Sequence, residues 1–99
     1  MAAPSNATLT REGDVLVFTG ALDRAAAVAL WPQVERAGAA QRIVLTRVTT
    51  VDSAGLALLA ELAARLRVGG SVPRWEGQPA GLAELCAAYR LTPELDFPA

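Results

Sequence analysis

The chain has 99 residues, of which 53% are hydrophobic and 19% charged, so it is long enough and apolar enough to fold as one domain over residues 1–99. Nine basic and ten acidic side chains give a net charge of −1 and a pI near 5.3, which offers no basic surface for nucleic acid or an anionic membrane. Histidine is absent and all nine basic residues are arginine, which excludes imidazole catalysis, histidine metal sites, lysine Schiff bases and P-loops. We therefore expect no enzyme activity, no cofactor and no metal site.

We expect neither an export signal nor a membrane-crossing segment in this chain. Cys86 is the single cysteine and cannot form an internal disulfide, which fits a reducing compartment and a small buried side chain. The first residues lack a basic segment followed by an apolar one, and no apolar run approaches the roughly 20 residues that a bilayer requires. We predict a cytoplasmic protein with irregular termini over about residues 1–6 and 92–99.

The first half of the chain predicts a hairpin followed by a helix. A short strand begins at Leu9, residues 11–14 form the turn, and residues 14–20, which are rich in β-branched side chains, form a strong strand. Asp23 is a suitable N-cap for the alanine-rich helix that follows. Pro32 interrupts this helix, so either the helix bends there or a second helix starts with Pro32 in its first turn.

The second half begins with an apolar run over residues 42–46, which does not alternate and therefore predicts a strand covered on both faces, as in parallel sheets. A second helix begins after Asp52-Ser53 and carries leucines at helical spacing. Glu61 and Arg65 form an i,i+4 pair on its other side, and Gly69-Gly70 is a C-terminal stop signal.

A weaker strand and a last helix complete the pattern. Residues 71–75 have strand character, and Pro73, which lacks an N–H donor, places this strand at an edge or a bulge. The last helix spans about residues 80–90. The order is thus β-β-α-β-α-β-α, an α/β fold in which one mixed sheet is packed by helices mainly on one face.

The loop Val51-Asp52-Ser53-Ala54-Gly55-Leu56 is the strongest candidate site, because it combines acidic, hydroxyl and small residues where a strand meets a helix start. One interpretation is structural: Asp52 and Ser53 satisfy the free N–H groups of the first helical turn. A second is that Ser53 contacts a partner or is phosphorylated, which would add about two negative charges beside Asp52. A third is anion or nucleotide binding at the helix start.

Two motifs in order resemble the STAS domain family, named after sulfate transporters and anti-sigma factor antagonists. They are Thr19-Gly20-Ala21-Leu22-Asp23 after the second strand, and Asp52-Ser53-Ala54-Gly55-Leu56 at the start of the second helix. The resemblance extends from about Leu9 to Leu91. It implies a small STAS-type sandwich of the same element order and a non-catalytic, protein-binding role.

Two branches of the family resemble the chain. The MlaB-like subunit of the Mla phospholipid transporter shares Leu30-Trp31, the run Asp52 to Leu59, and a closing pattern of Leu85, Tyr89 and Leu91. This branch implies binding to the cytoplasmic ATPase subunit of an ABC transporter that maintains outer-membrane lipid asymmetry. The chain would then lie at the cytoplasmic face of the inner membrane, peripheral to it through partners only. In the alternative branch, the anti-sigma factor antagonists, a partner kinase phosphorylates the serine at the position of Ser53, although that branch often has Ser or Thr where this chain has Ala54.

The resemblance and the loop chemistry together give the predicted site residues. They are expected to bind or respond to a partner and are Asp52, Ser53, Ala54, Gly55, Leu56, Trp31 and Asp23. Ser53 is the contact hydroxyl or phosphorylation site. Trp31 is either a core residue or an interface anchor on the neighbouring helix, and Asp23 is favoured as a helix cap over a partner contact.

Overall fold

The computed structural model describes residues 7–91, which contain one mixed sheet of four strands. Strands β1 (Thr8–Glu12) and β2 (Val15–Leu22) form an antiparallel hairpin. Strands β3 (Arg42–Val51) and β4 (Arg74–Glu76) are parallel to β2, and the spatial order is β1-β2-β3-β4. The element order β-β-α-β-α-β-α and the α/β fold class agree with the prediction, which is therefore confirmed.

Within residues 7–91 three helices pack on one face of this sheet: α1 (Arg24–Glu35), α2 (Ser53–Val68) and α3 (Leu82–Ala88). Helix α1 contacts β1 and β2, α2 contacts β2 and β3, and α3 contacts α2. The core lies between the sheet and the helices. Its largest fully buried side chains are Phe18, Leu22, Val34, Ile43, Leu45, Leu59, Leu62 and Leu66. Burial of these side chains is the main stabilising contribution in a domain of this size.

The opposite face of the sheet has no helix on it within the described residues, so the predicted cover on both faces of residues 42–46 is wrong. Ile43 and Leu45 are buried under the helices, whereas Val44 between them lies on the opposite face and is half-buried. Successive side chains of a strand point to opposite faces. A continuous apolar run therefore does not require two covering layers when one of its members is left partly exposed.

Strand β3 continues past residue 46 to Val51, beyond its predicted end. Its register with β2 shifts between Val17 and Thr19 and again between Gly20 and Ala21. Such irregularities add an unpaired residue and break the alternation of buried and exposed side chains. The segment 47–51 therefore lacks the sequence pattern of a strand although it is one.

Strand β4 and helix α3 are both shorter than predicted. Strand β4 starts after Pro73, which cannot donate to a strand neighbour, and it lies at the sheet edge as predicted. Ala80, predicted to begin the last helix, instead forms a parallel bridge with Thr50. Gly81 follows with φ of 90°, so α3 begins only at Leu82.

Helix α1 runs through Pro32 without a break, which excludes the predicted alternative of a second helix starting there. Proline in a helix removes the hydrogen bond to the carbonyl four residues earlier, here that of Val28. The Val28 residue is 72% exposed, so water can reach this part of the helix. Exposure of this turn makes the proline tolerable.

Within residues 7–91 no helix is both long enough and apolar enough to cross a membrane. Cys86, predicted to be buried, is half-buried, and this burial raises the pKa of its thiol. The predicted irregular termini, residues 1–6 and 92–99, lie outside the described residues.

Candidate functional site

The two acidic residues of the sequence motifs occupy equivalent positions at the carboxyl ends of the parallel strands β2 and β3. The Asp23 Oδ1 atom accepts a hydrogen bond from the Ala26 N–H at 2.9 Å and caps α1. The Asp52 Oδ1 atom accepts from the Gly55 N–H at 2.9 Å and caps α2. Each carboxylate satisfies one of the free donors of a first helical turn and lies at the positive end of the helix dipole. The predicted capping role of Asp23 is confirmed.

The two motifs also contact each other through the backbone. The Asp52 N–H donates to the Leu22 carbonyl at 3.1 Å, which joins the end of β2 to the start of α2. Gly55 packs directly on the same residue: a Cβ at this position would lie 2.0 Å from the Leu22 oxygen. Only glycine allows the first turn of α2 to approach β2 this closely.

A third segment completes this edge of the sheet. The Val51 N–H donates to the Ala80 carbonyl at 3.0 Å, and Gly81 then turns the chain into α3. A Cβ on Gly81 would lie 2.7 Å from the Val51 oxygen. Gly81 lies inside the helix predicted from the sequence, so its role was not predicted, although glycine is an accepted residue at a helix N-cap.

Ser53 is the first residue of α2 and is exposed. One interpretation of the sequence is that its hydroxyl shares the capping of this helix with Asp52. The structure shows that the Asp52 carboxylate caps α2, whereas among the described residues the Ser53 hydroxyl has no hydrogen-bond partner. The hydroxyl is therefore available to a group outside the domain.

The other residues of the loop differ in how far they reach the surface. Ala54 is half-buried, while Gly55 and Leu56 are buried, with Leu56 only 3% exposed. Gly55 and Leu56 thus hold the start of α2 against the sheet. Asp52 and Ser53 are the exposed members of the loop.

A shallow groove of about 440 Å³ runs from Ser53 along α2 towards the end of α3. Its lining is formed by α2 residues, all small except Leu56, on one side and by Tyr89 and Leu91 on the other: Ser53, Ala54, Leu56, Ala57, Ala60, Tyr89 and Leu91. Tyr89, part of the closing pattern shared with the MlaB-like branch, is 51% exposed. A half-exposed tyrosine combines apolar area with a polar tip and is common at protein interfaces.

Trp31 lies on a different part of the helical surface. This residue is 36% exposed, and the Arg65 guanidinium carbon lies 5.1 Å from its ring centroid, within the range of a cation–π contact. Arg65 is in turn paired with Glu61 at 3.2 Å, which confirms that predicted pair. Arg65 follows Ser53 by twelve residues of the same helix, which corresponds to roughly 18 Å. The structure therefore brings Trp31 beside Arg65 and not beside Ser53.

The chemistry at this edge of the sheet is that of hydrogen bonding and packing. Within residues 7–91 no cluster of cysteine and acidic residues could hold a metal ion. The Asp52 carboxylate already uses the Gly55 N–H and adds negative charge at the start of α2. The Asp52 cap and its negative charge weigh against the anion-binding interpretation of this helix start, because a bound anion would meet the carboxylate at the same position.

We expect Asp52→Ala to lower the free energy of unfolding by about 1 kcal/mol, because it removes the cap acceptor of α2. The melting temperature should fall by about 4–8 °C, measured by circular dichroism. Asp52→Asn is the matched control, because asparagine also caps and should retain most of the stability. Equal losses in both variants would show that the charge matters and the hydrogen bond does not.

Comparison with known proteins yields a family match over nearly the whole chain. A family model described as "Mlab, STAS domain" matches residues 5–95. A solved structure described as "Crystal Structure Analysis of Mglu" is similar at 25% sequence identity and a TM-score of 0.51, over 76% of this chain. The chain spans only 20% of that larger protein. No curated protein matches the sequence.

Proposed function

Because the chain belongs to the STAS domain family and matches its MlaB-like model, we propose that it is a non-catalytic subunit that binds the cytoplasmic ATPase of a phospholipid-transporting ABC system and stabilises or regulates it. The observation that carries the proposal is the exposed Ser53 hydroxyl, which stands unpaired beside the groove between α2 and α3. The neighbouring carboxylate of Asp52 is already occupied in capping.

The shape of this surface favours a protein partner over a small substrate. Ala57 and Ala60 are small and leave the groove shallow, so a protein surface can approach the axis of α2 closely. Tyr89 and Ser53 supply polar atoms at its two sides. A shallow surface with a half-exposed aromatic residue and few charges resembles the central part of a protein interface.

In this proposal the protein works at the cytoplasmic face of the inner membrane and is held there by its partner. Its contribution to outer-membrane lipid asymmetry is indirect, through the ATPase. The near-neutral net charge of −1 fits a protein that reaches the membrane through another subunit, since direct binding to anionic lipid requires a basic surface.

A second candidate function is that of an anti-sigma factor antagonist switched by a kinase. The observation that favours it is again Ser53, whose exposed hydroxyl at the start of α2 is accessible to a modifying enzyme. A phosphate there would be favoured by the helix dipole and opposed by the Asp52 carboxylate. Finding a phosphorylated Ser53 peptide by mass spectrometry in cells, together with a bound kinase, would favour this second function.

The test of the first function is Ser53→Arg, because a long charged side chain at this position would fill the edge of the groove and keep the partner away. We expect the variant to bind the ATPase at least about thirtyfold more weakly, a loss of about 2 kcal/mol. Co-purification from the native host and titration with the purified ATPase would measure it.

The matched control is Gln41→Arg, which adds the same side chain at an exposed position just before β3, at the opposite end of that strand. It should bind the ATPase as the unmodified chain does. Normal binding by Ser53→Arg, with a melting temperature like that of the control, would rule out the proposed contact.

A further inference from the structure

The face of the sheet away from the helices carries a regular pattern of side chains. We call it the open face. Contacts between side chains identify it: the hydroxyls of Thr8 and Thr19 meet across β1 and β2, and the Arg42 guanidinium donates to Glu76 at 3.0 and 2.7 Å across β3 and β4. With the strand register, these contacts assign the following residues to it: Thr8, Thr10, Glu12, Val15, Val17, Thr19, Arg42, Val44, Arg74 and Glu76.

The centre of the open face is apolar. Val17 is directly opposite Val44 in the register of β2 and β3, and Val15 is the next residue of β2 on the same face. All three valines are only half-buried, because no helix of the described chain covers them. A sheet with one solvated face normally alternates apolar and polar side chains along each strand, so a half-buried valine centre is a feature that a partner would cover.

Charged residues of opposite sign lie at opposite edges of this face. The register aligns one row across all four strands: Glu12 on β1, Val15 on β2, Arg42 on β3 and Arg74 on β4. Arg42 is paired with Glu76, and this hydrogen bond lowers the pKa of the Glu76 carboxyl, with a smaller contribution from Arg74. Among the described residues Glu12 and Arg74 form no ion pair of their own.

This arrangement is complementary to itself. A two-fold rotation about an axis parallel to the strands would place β1 of one copy over β4 of the other, and β2 over β3. Glu12 of each copy would then face Arg74 of the other, so the dimer would contain this contact twice. Val17 of each copy would face Val44 of the other. Each surface patch meets an identical patch in such a symmetric contact, which is the commonest geometry of homodimers.

We propose that the open face binds a second copy of this chain, through the three valines at its centre and reciprocal Glu12–Arg74 ion pairs at its edges. Two such sheets would pack face to face at about 10 Å, in the manner of a β-sandwich. Arg42 would cover Val15 of the second copy with the apolar part of its side chain, since its charge is already balanced by Glu76.

The open face is small, because it comprises four strands about 4.8 Å apart. Interfaces of this size lie at the lower end of stable complexes, so we expect a dissociation constant in the micromolar range, about 1–100 μM. The groove beside Ser53 lies between α2 and α3, on the other side of the sheet, and would remain accessible in the dimer. The proposal therefore goes beyond the proposed function and does not depend on it.

The test is a charge exchange measured by sedimentation equilibrium on the full chain. Glu12→Arg and Arg74→Glu should each raise the dimer dissociation constant at least about tenfold, because each replaces two attractive pairs with two repulsive ones. The double variant, which restores attraction with the signs exchanged, should return to within about threefold of the unmodified chain. Glu35→Arg, on the helical side, makes the same charge change as Glu12→Arg and should leave the dimer unchanged.

Melting curves show whether each variant is folded. If either Glu12→Arg or Arg74→Glu does not fold, the remaining one is compared with the Glu35→Arg control. A chain that is monomeric at every concentration up to about 1 mM would overturn the proposal. So would a dimer that Glu12→Arg and Arg74→Glu do not weaken, or one that the double variant fails to restore although all variants fold.

Discussion

Gly55→Ala should lower the free energy of unfolding by about 4 kcal/mol, the largest effect that we expect from a single methyl group in this chain. The added Cβ would lie 2.0 Å from the Leu22 oxygen and 2.8 Å from its carbonyl carbon, so the overlap is with backbone and cannot be relieved by a side-chain rotation. Either α2 moves away from β2 or the end of β2 is displaced. Both movements would stretch the 3.1 Å hydrogen bond from the Asp52 N–H to Leu22.

Thermal unfolding followed by circular dichroism would measure this effect as a fall of about 20 °C in the melting temperature. Gly69→Ala is the matched control, since it adds the same methyl group at the other end of the same helix. There the nearest atom to the new Cβ is 3.6 Å away, and the backbone φ of −80° suits any residue. A Gly55→Ala variant as stable as this control would mean that the close approach of α2 to β2 is not required.

Local chemistry explains which parts of the structure the sequence could predict. Asp23 and Asp52 each precede a helix, and each cap bonds to an N–H three residues later, so a short window of sequence contains the whole interaction. The Glu61–Arg65 pair is equally local. Alternation of strands and helices then leads to the fold class, because parallel neighbours need crossover connections.

Contacts between distant parts of the chain explain what could not be predicted. The end of β3 follows no alternating pattern, because its register with β2 shifts twice. Gly55 contacts Leu22 only in the folded chain, so the sequence shows a glycine in the motif and not why it is required. Trp31 could not be assigned to core or surface, since its environment is set by Arg65 on another helix.

The loop that the sequence singled out therefore divides into two parts with separate consequences. Gly55 and Leu56 face the sheet, and changes to them should act on stability. Ser53 faces outward without a partner inside the described chain, and changes to it should act on binding while leaving stability nearly unchanged. If the proposed ATPase is the partner, a Gly55 variant that loses binding is consequently no evidence for a direct contact, whereas a folded Ser53 variant that loses binding is such evidence.

Gly81→Ala should lower the free energy of unfolding by about 3 kcal/mol, for two reasons that can be measured separately. At φ of 90° a residue with a Cβ is strained, and the Cβ would also lie 2.7 Å from the Val51 oxygen. Gly70 has nearly the same φ of 92°, but a Cβ added there would have no atom within 4 Å, so Gly70→Ala isolates the backbone strain at about 1 kcal/mol. Chemical denaturation of both variants measures the two losses of unfolding free energy. The loss in Gly81→Ala minus that in Gly70→Ala is the contribution of the contact that holds the start of α3 at the end of β3. Equal losses would place the whole effect in the backbone conformation, and α3 would then be anchored by its side chains against α2 rather than by this edge of the sheet.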